Sequence, residues 1–175
     1  LDFMDSHDQK MVQKLYRIAE SAARHHLVLD FHGMYKPTGF SRTYPNVLNY
    51  EGVFGLEQIG RKGLDMPKND VTIPYIRMAA GPMDYTPGAM QTAARNEKVT
   101  YGRTAYAQGT RAHQVATFIV YDQPIGMLCD SPSRYLEDLA TTEFLTDIPT
   151  VYDRTFIQSG EVGKNIVTVR NAGNR

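Results

Sequence analysis

The sequence predicts the C-terminal half of a (β/α)8 TIM barrel, followed by the beginning of an antiparallel β-domain. Short apolar runs alternate with segments of helical periodicity, as in parallel α/β proteins. The apolar runs end in polar or acidic residues beside glycine or proline, and in this barrel class the chemistry lies on loops at the strand C-termini. The end of the chain instead shows β-branched alternation. We therefore expect a partial barrel in residues 1–145 and the truncated start of a β-domain in residues 146–175.

The start of the chain predicts one β-α-β unit. LDFMD, residues 1–5, has the pattern of a strand. Ser6 and Gln9 then form a capping-box pair, and apolar positions at helical spacing predict a helix near residues 7–25. LVLDFHG, residues 27–33, is typical of a buried parallel strand, so the connection between the two strands should be right-handed.

Three more strands are predicted farther along the chain. They are GVFGLE at 52–57, AAGPMDYTPG at 79–88, which runs from a strand into a loop, and IGMLCDSP at 125–132. Each is bounded by glycine or proline, which favours loops at its end.

Helical segments are predicted between and after these strands. VTIPYIRM suggests a short helix or turn broken at Pro74, and TRAHQVATFIVY, residues 110–121, a helix of about three turns. A further helical stretch is expected around Tyr135 to Leu139. TVYDRTFIQ and KNIVTVR then predict antiparallel strands.

Composition excludes several classes of partner. The chain has 19 basic and 19 acidic residues and a net charge of zero, which gives no electrostatic footprint for nucleic acid or an anionic membrane. Its apolar runs are shorter than a membrane span needs. The composition is compatible with neutral, sugar-like ligands. The single Cys129 excludes an internal disulfide framework. Because the chain starts within one strand-like run and stops just after another, we expect a piece of a longer protein.

Acidic side chains recur where the predicted strands end. If those ends share one rim of the barrel, the acids converge there, with His32, Lys36 and Arg42 nearby. Such a ring suits glycoside hydrolysis or metal-assisted chemistry on a polyol. The alternative for any one of them is local capping of a loop or helix, which aspartate favours. The acids are Asp2, Asp5, Asp30, Glu57, Asp84 and Asp130.

Four long runs carry a family resemblance. They are LDFMDSHDQ, LVLDFHGMYKPTGFSRTYPNVLNYEGVFGLE, RMAAGPMDYTPGAM and PIGMLCDSP. Together they resemble glycoside hydrolase family 97, bacterial α-glycosidases with a catalytic (β/α)8 barrel between two β-rich domains. The resemblance implies a carbohydrate substrate and a periplasmic or secreted location, although this sequence shows no signal peptide.

The resemblance also implies roles for individual residues. In the inverting members the position of Asp2 is glycine and the position of Gly33 is glutamate, so this sequence is similar to the retaining branch. That implies Asp2 as nucleophile and Glu57 as general acid/base. It further implies a calcium ion with Glu51 and Glu57 among its ligands, which suits a hard cation.

The remaining polar residues are expected to bind substrate. Asp30 and His32 alternate onto one face of their strand, so both could hydrogen-bond sugar hydroxyls. Asp30 could equally hold the backbone of the KPTG loop. Lys36 and Arg42 could pair with Asp84 or Asp2, the competing interpretation being a structural arginine.

The resemblance therefore implies a retaining exo-acting α-glycoside hydrolase, foremost an α-galactosidase acting on an oligosaccharide or α-glycoside. The first alternative is an α-glucosidase of the same family. The others are a non-catalytic carbohydrate-binding remnant and a metal-dependent barrel enzyme of another reaction class.

Overall fold

The computed structural model describes residues 1–61, 63–94, 97 and 105–173. Within these ranges the protein is an α/β structure with three two-stranded sheets. The first half contains α1 (Gln9–Arg24), β1 (Leu29–Phe31), α2 (Phe40–Thr43), β2 (Val47–Tyr50), a 3-10 helix (Leu56–Gly60), α3 (Met66–Asp70), α4 (Ile73–Ile76) and a second 3-10 helix (Met78–Ala80). The second half contains β3 (Gln91–Ala93), β4 (Tyr106–Gln108), α5 (Arg111–Val120), α6 (Pro132–Leu136), α7 (Leu139–Asp147), β5 (Arg154–Glu161) and β6 (Asn165–Asn171).

The predicted helices are largely confirmed. α1 lies within the expected 7–25 span, but its N-cap is Asp8, whose carboxylate accepts from the Met11 amide at 2.7 Å. α5 matches the predicted helix at 110–121 almost residue for residue. Pro74 lies in the first turn of α4, where its missing N–H costs no helical hydrogen bond, so it starts a helix instead of breaking one.

The β1 and β2 strands pair in parallel, and the N-terminus of the chain lies beside β1. The Leu1 amino group donates to the Asp30 carbonyl at 3.0 Å, and the His32 amide donates to the Leu1 carbonyl at 2.7 Å. The predicted strand at residues 1–5 is nevertheless wrong beyond this contact. Phe3 and Asp5 have φ values of 58° and 40°, so the segment bends out of the extended conformation.

The other predicted barrel strands do not form at the positions that the sequence indicates. The strand predicted at 52–57 does not form. The observed strand in this region, β2, ends at Tyr50, and Glu57 lies in the 3-10 helix that follows it, so this prediction is wrong. Gly52 ends the extended run with a φ of +38°, in a place where a Cβ would lie 2.7 Å from the Tyr35 backbone. The predictions of strands at 79–88 and 125–132 are also wrong.

Part of the 79–88 segment still contacts a strand. The Asp84 amide donates to the Tyr50 carbonyl at 2.8 Å, which fixes Asp84 beside the end of β2. The short parallel pair β3 and β4 was not predicted. The antiparallel pairing of β5 with β6 was predicted and is confirmed.

Two apolar clusters flank the strand ends. One joins α1 to the first sheet through Leu15, Ala19, Phe31, Phe40, Val47 and Tyr50. The other contains Leu56, Met66, Ile73, Met83, Tyr85 and Tyr121. Among the described helices, every one is too short or too polar to cross a lipid bilayer.

Candidate active site

Polar side chains gather where β1 and β2 end. His32 directly follows β1, and Glu51 directly follows β2. Because parallel strands present their C-terminal ends at one edge, the two side chains meet, with His32 Nδ1 3.9 Å from Glu51 Oε2. The bond from the Asp84 amide to β2 brings a third polar side chain to the same edge.

His32 is held by a buried carboxylate. Its Nε2 lies 2.6 Å from Oδ2 of Asp84, whose side chain is fully buried. Burial lowers the pKa of His32, but the hydrogen bond to Asp84 and the charges of Asp84, Asp30 and Glu51 outweigh it, so the net pKa is raised. The ring is therefore more readily protonated than an ordinary histidine.

Asp30 lies on the same face as His32, as its position in the strand predicts. Asp30 Oδ2 is 3.9 Å from His32 Nε2, and both Asp30 oxygens are buried without a hydrogen-bond partner among the described residues. Burial first, then the neighbouring Asp84 carboxyl group, raises the pKa of Asp30 to about 7. A proton on Asp30 supplies the donor that two adjacent carboxyl groups need.

Asp2 lies on the exposed side of this cluster. Its Oδ1 accepts from the Phe3 amide at 2.6 Å. Asp2, His32 and Glu51 each offer one ligand atom, and these three atoms lie within 4.8 Å of one another. Glu51 is fixed in turn, since its Oε2 accepts from the Gly33 amide at 2.5 Å.

Glu57 lies on the wall of an open groove of about 580 Å³. Glu51, Gly33 and Asp5 line the same groove, so the groove extends from the carboxylate cluster to the 3-10 helix that carries Glu57. The Glu57 side chain is exposed and accepts from Gln58 Nε2 at 2.7 Å. Phe54, Ile73 and other apolar side chains contribute to the same lining.

Lys36 and Arg42 are placed differently from the expectation. Both are exposed, and neither forms a salt bridge within the part of the chain that the structure describes. Asp84, one of their expected partners, is bound to His32 instead. The geometry brings together Asp2, Asp30, His32, Glu51 and Asp84.

Sequence reasoning missed Arg77. It is buried, and its guanidinium donates to five backbone carbonyls, those of Tyr50, Glu51, Gly52, Gly81 and Pro82, at 2.9–3.2 Å. Burial lowers the pKa of Arg77 to about 10, which still leaves it charged at neutral pH. A lone arginine in the otherwise apolar stretch from Ile73 to Ala80 is the signal that could have found it.

Comparison with known proteins identifies the family. The profile described as Glycoside hydrolase 97 matches residues 1–53. The chain is 47% identical over 175 residues to a retaining alpha-galactosidase of Bacteroides thetaiotaomicron, covering 99% of this chain and 26% of the relative. The chain belongs to glycoside hydrolase family 97. The resemblance stated from the sequence is thereby confirmed.

Solved structures match the fold. A family 97 enzyme from Pseudoalteromonas sp. strain K8, in complex with acarbose, superposes with a TM-score of 0.81 at 32% identity, over 95% of this chain and 25% of that one. A structure named beta-arabinopyranosidase superposes with a TM-score of 0.76 at 27% identity, over 98% of this chain and 28% of that one. The family 97 chain thus spans about a quarter of the length of the relatives it matches.

Proposed function

We propose that a protein of the relatives' full length that carries this chain, hereafter the full-length protein, is a retaining exo-acting α-galactosidase. The observation that carries the proposal is the 47% identity, across 99% of the chain, to a protein named retaining alpha-galactosidase. Within the proposal, residues 1–145 form the second half of a (β/α)8 barrel and residues 146–175 begin a β-domain. The substrate is an oligosaccharide or α-glycoside, and the location is periplasmic or secreted.

The proposed reaction is a double displacement. Asp2 attacks the anomeric carbon while Glu57 donates a proton to the departing glycosidic oxygen, which breaks the glycosidic bond and leaves a covalent glycosyl ester. Glu57 then takes a proton from water, and the water oxygen attacks the same carbon and releases Asp2. Retention requires the two carboxyl groups to lie about 5 to 5.5 Å apart in the working enzyme.

Support for these roles comes from exposure and position. Asp2 is exposed beside Glu51, as a nucleophile that must meet solvent-borne substrate has to be. Glu57 lines a groove that also reaches Glu51. Asp30, His32 and Asp84 would contact sugar hydroxyls or hold the groups that do, and Lys36 and Arg42 would join them only if substrate draws them inward.

Calcium fits part of this arrangement. Glu51 and Glu57 line one groove and are hard oxygen donors. They supply at most four oxygens where calcium takes about six to eight, so the other ligands would come from water, substrate or the rest of the full-length protein. When bound, the ion would supply positive charge beside the acid/base.

Trapping the glycosyl-enzyme tests the proposal. The full-length protein is treated with a 2-deoxy-2-fluoro galactosyl reagent and mapped by peptide mass spectrometry, and the first anomer released from a galactoside is followed by proton NMR. We expect an adduct on the LDFMD peptide and the α-anomer first. Asp2→Ala should abolish labelling, whereas Asp8→Ala, which removes only the cap of α1, should retain it. An adduct elsewhere, or the β-anomer first, overturns the assignment.

An α-glucosidase is the second candidate, favoured by the acarbose complex of the Pseudoalteromonas enzyme. The ratio of kcat/KM for aryl α-galactoside and aryl α-glucoside decides between them. Binding without turnover of either substrate would instead favour the non-catalytic carbohydrate-binding remnant.

A further inference from the structure

We propose that Gly33 is a positioning residue that determines where the Asp2 carboxylate lies. The backbone of Phe3 and Met4 occupies the space that a Cβ at position 33 would need. This inference rests on the proposed function, because it gives Asp2 the role of nucleophile.

The steric evidence is a close backbone approach. A Cβ on Gly33 would lie 2.6 Å from the Phe3 nitrogen, 2.8 Å from Phe3 Cα and 3.0 Å from the Met4 nitrogen. These are main-chain atoms, so they cannot rotate away as a flexible side chain would. Gly33 also has a φ of +57°, in the left-handed region that glycine tolerates best.

The contact leads directly to Asp2. The Phe3 N–H, which is the group that a Cβ would meet first, donates to Asp2 Oδ1 at 2.6 Å. Hydrogen bonds on both sides tie the segment to the turn at Gly33: the His32 amide donates to Leu1, and the Asp5 amide donates to the Gly33 carbonyl at 2.6 Å. A displacement of the Phe3 backbone would therefore also move Asp2.

Gly33 also orients the neighbouring carboxylate. Its N–H donates to Glu51 Oε2 at 2.5 Å, while its Cα faces the segment that carries Asp2. One residue without a side chain thus sets the relative positions of two acids whose ligand atoms lie within 4.8 Å of each other.

The test compares two glycine-to-alanine variants of the full-length protein. Gly33→Ala introduces the clash. Gly39→Ala is the matched control, because Gly39 has a φ of +90° and nothing within 4 Å of its would-be Cβ. Since a displacement of ~1 Å can cost about 100-fold in rate, we expect kcat of Gly33→Ala to fall about 100-fold with KM changed less than about threefold. The rate of labelling of Asp2 by the 2-fluoro reagent should fall in parallel, and Gly39→Ala should keep at least about half of kcat.

A double-variant experiment separates this inference from the proposed function. In an Asp2→Ala background, with α-galactosyl fluoride as substrate and azide as external nucleophile, Gly33→Ala should change the azide-dependent rate less than about threefold, because its target is gone. If Asp2→Ala alone retains wild-type activity, the proposed function fails. If Asp2→Ala is inactive but Gly33→Ala behaves like Gly39→Ala, only the inference about Gly33 is overturned.

A double variant tests the inference if Gly33→Ala alone does not fold. Phe3 has an 83% exposed side chain, so Phe3→Gly removes little packing and lets the segment move aside. The double variant Phe3→Gly/Gly33→Ala should fold, as judged by its melting temperature, and still show the low kcat because Asp2 is displaced. Recovery of wild-type kcat in that folded variant would overturn the inference.

Discussion

Replacing Arg77 should loosen the two loops that frame the carboxylate cluster. The Arg77 guanidinium joins the backbone at Tyr50, Glu51 and Gly52 to the backbone at Gly81 and Pro82. Arg77→Met keeps most of the side-chain length and removes every donor.

The magnitude follows from the carbonyls left without a partner. Tyr50 keeps the Asp84 amide as a second donor, whereas the carbonyls of Glu51, Gly52, Gly81 and Pro82 lose the only donor that the described residues give them. Those four residues are half-buried, so water can replace part of the loss and the cost is near the low end, about 1 kcal/mol per carbonyl. The sum of about 4 kcal/mol corresponds to a rise of roughly 1000-fold in local opening.

Hydrogen–deuterium exchange of the full-length protein measures this directly. Amides in peptides spanning 47–55 and 81–86 should exchange faster in Arg77→Met by up to about 1000-fold. Arg77→Lys keeps the charge but lacks the planar fork of donors, so it should fall between wild type and Arg77→Met. The control is Arg61→Met, since Arg61 is exposed and its guanidinium lies over the Phe54 ring, 5.8 Å from the ring centroid. Equal exchange in Arg77→Met and Arg61→Met would refute the reasoning.

Three further outcomes are expected for the full-length protein. Folding raises the pKa of Asp30 to about 7, so the native state holds that proton more tightly than the unfolded state. The contribution of Asp30 to stability should therefore fall as pH rises from about 4 to about 7. Asp30→Asn should flatten the dependence of melting temperature on pH, and an unchanged slope would contradict the raised pKa. Burial, followed by the charge of Asp130, raises the pKa of Cys129 to about 12. Alkylation of Cys129 by iodoacetamide at pH 8 should therefore be much slower in the native protein than in the urea-unfolded protein. Equal rates would contradict the burial of the thiol. Leu15→Ala should lower the free energy of unfolding in urea by about 3 kcal/mol, because Leu15 is fully buried. The control Lys14→Ala, at an exposed position, should lower it by less than about 0.5 kcal/mol. Equal effects would exclude the packing of α1 as the cause.

The elements that the sequence predicted correctly are those with strong local signals. α1 has helical apolar spacing, although its N-cap is Asp8 and not the predicted Ser6, and the final hairpin has alternating β-branched residues. Asp30 and His32 share a face because strand geometry alone requires it.

The misplaced strands depended on contacts distant in sequence. GVFGLE has the composition of a strand, but the chain turns at Gly52, whose φ is +38°. Glycine suits that position because a Cβ would lie 2.7 Å from the Tyr35 backbone. β3 and β4 have three residues each and little β-branched character, so no local pattern marks them. The role of Arg77 is set by carbonyls on two separate loops, which only the folded chain brings together.

The burial of the acids explains how a charged cluster can stand beside an apolar core. Asp84 is fully buried, and its charge is met by His32 at 2.6 Å. Asp30 is half-buried, and burial followed by the Asp84 carboxyl group raises its pKa to about 7, so a proton can neutralise it more readily than an ordinary aspartate. An unpaired buried charge would cost several kcal/mol, so these two groups are suited to hold His32 in place rather than to react. Asp2 is exposed at the outer side of the same histidine. Of the acids around His32, Asp2 is the most exposed, so it lies where an incoming sugar can reach it, as the proposed nucleophile must.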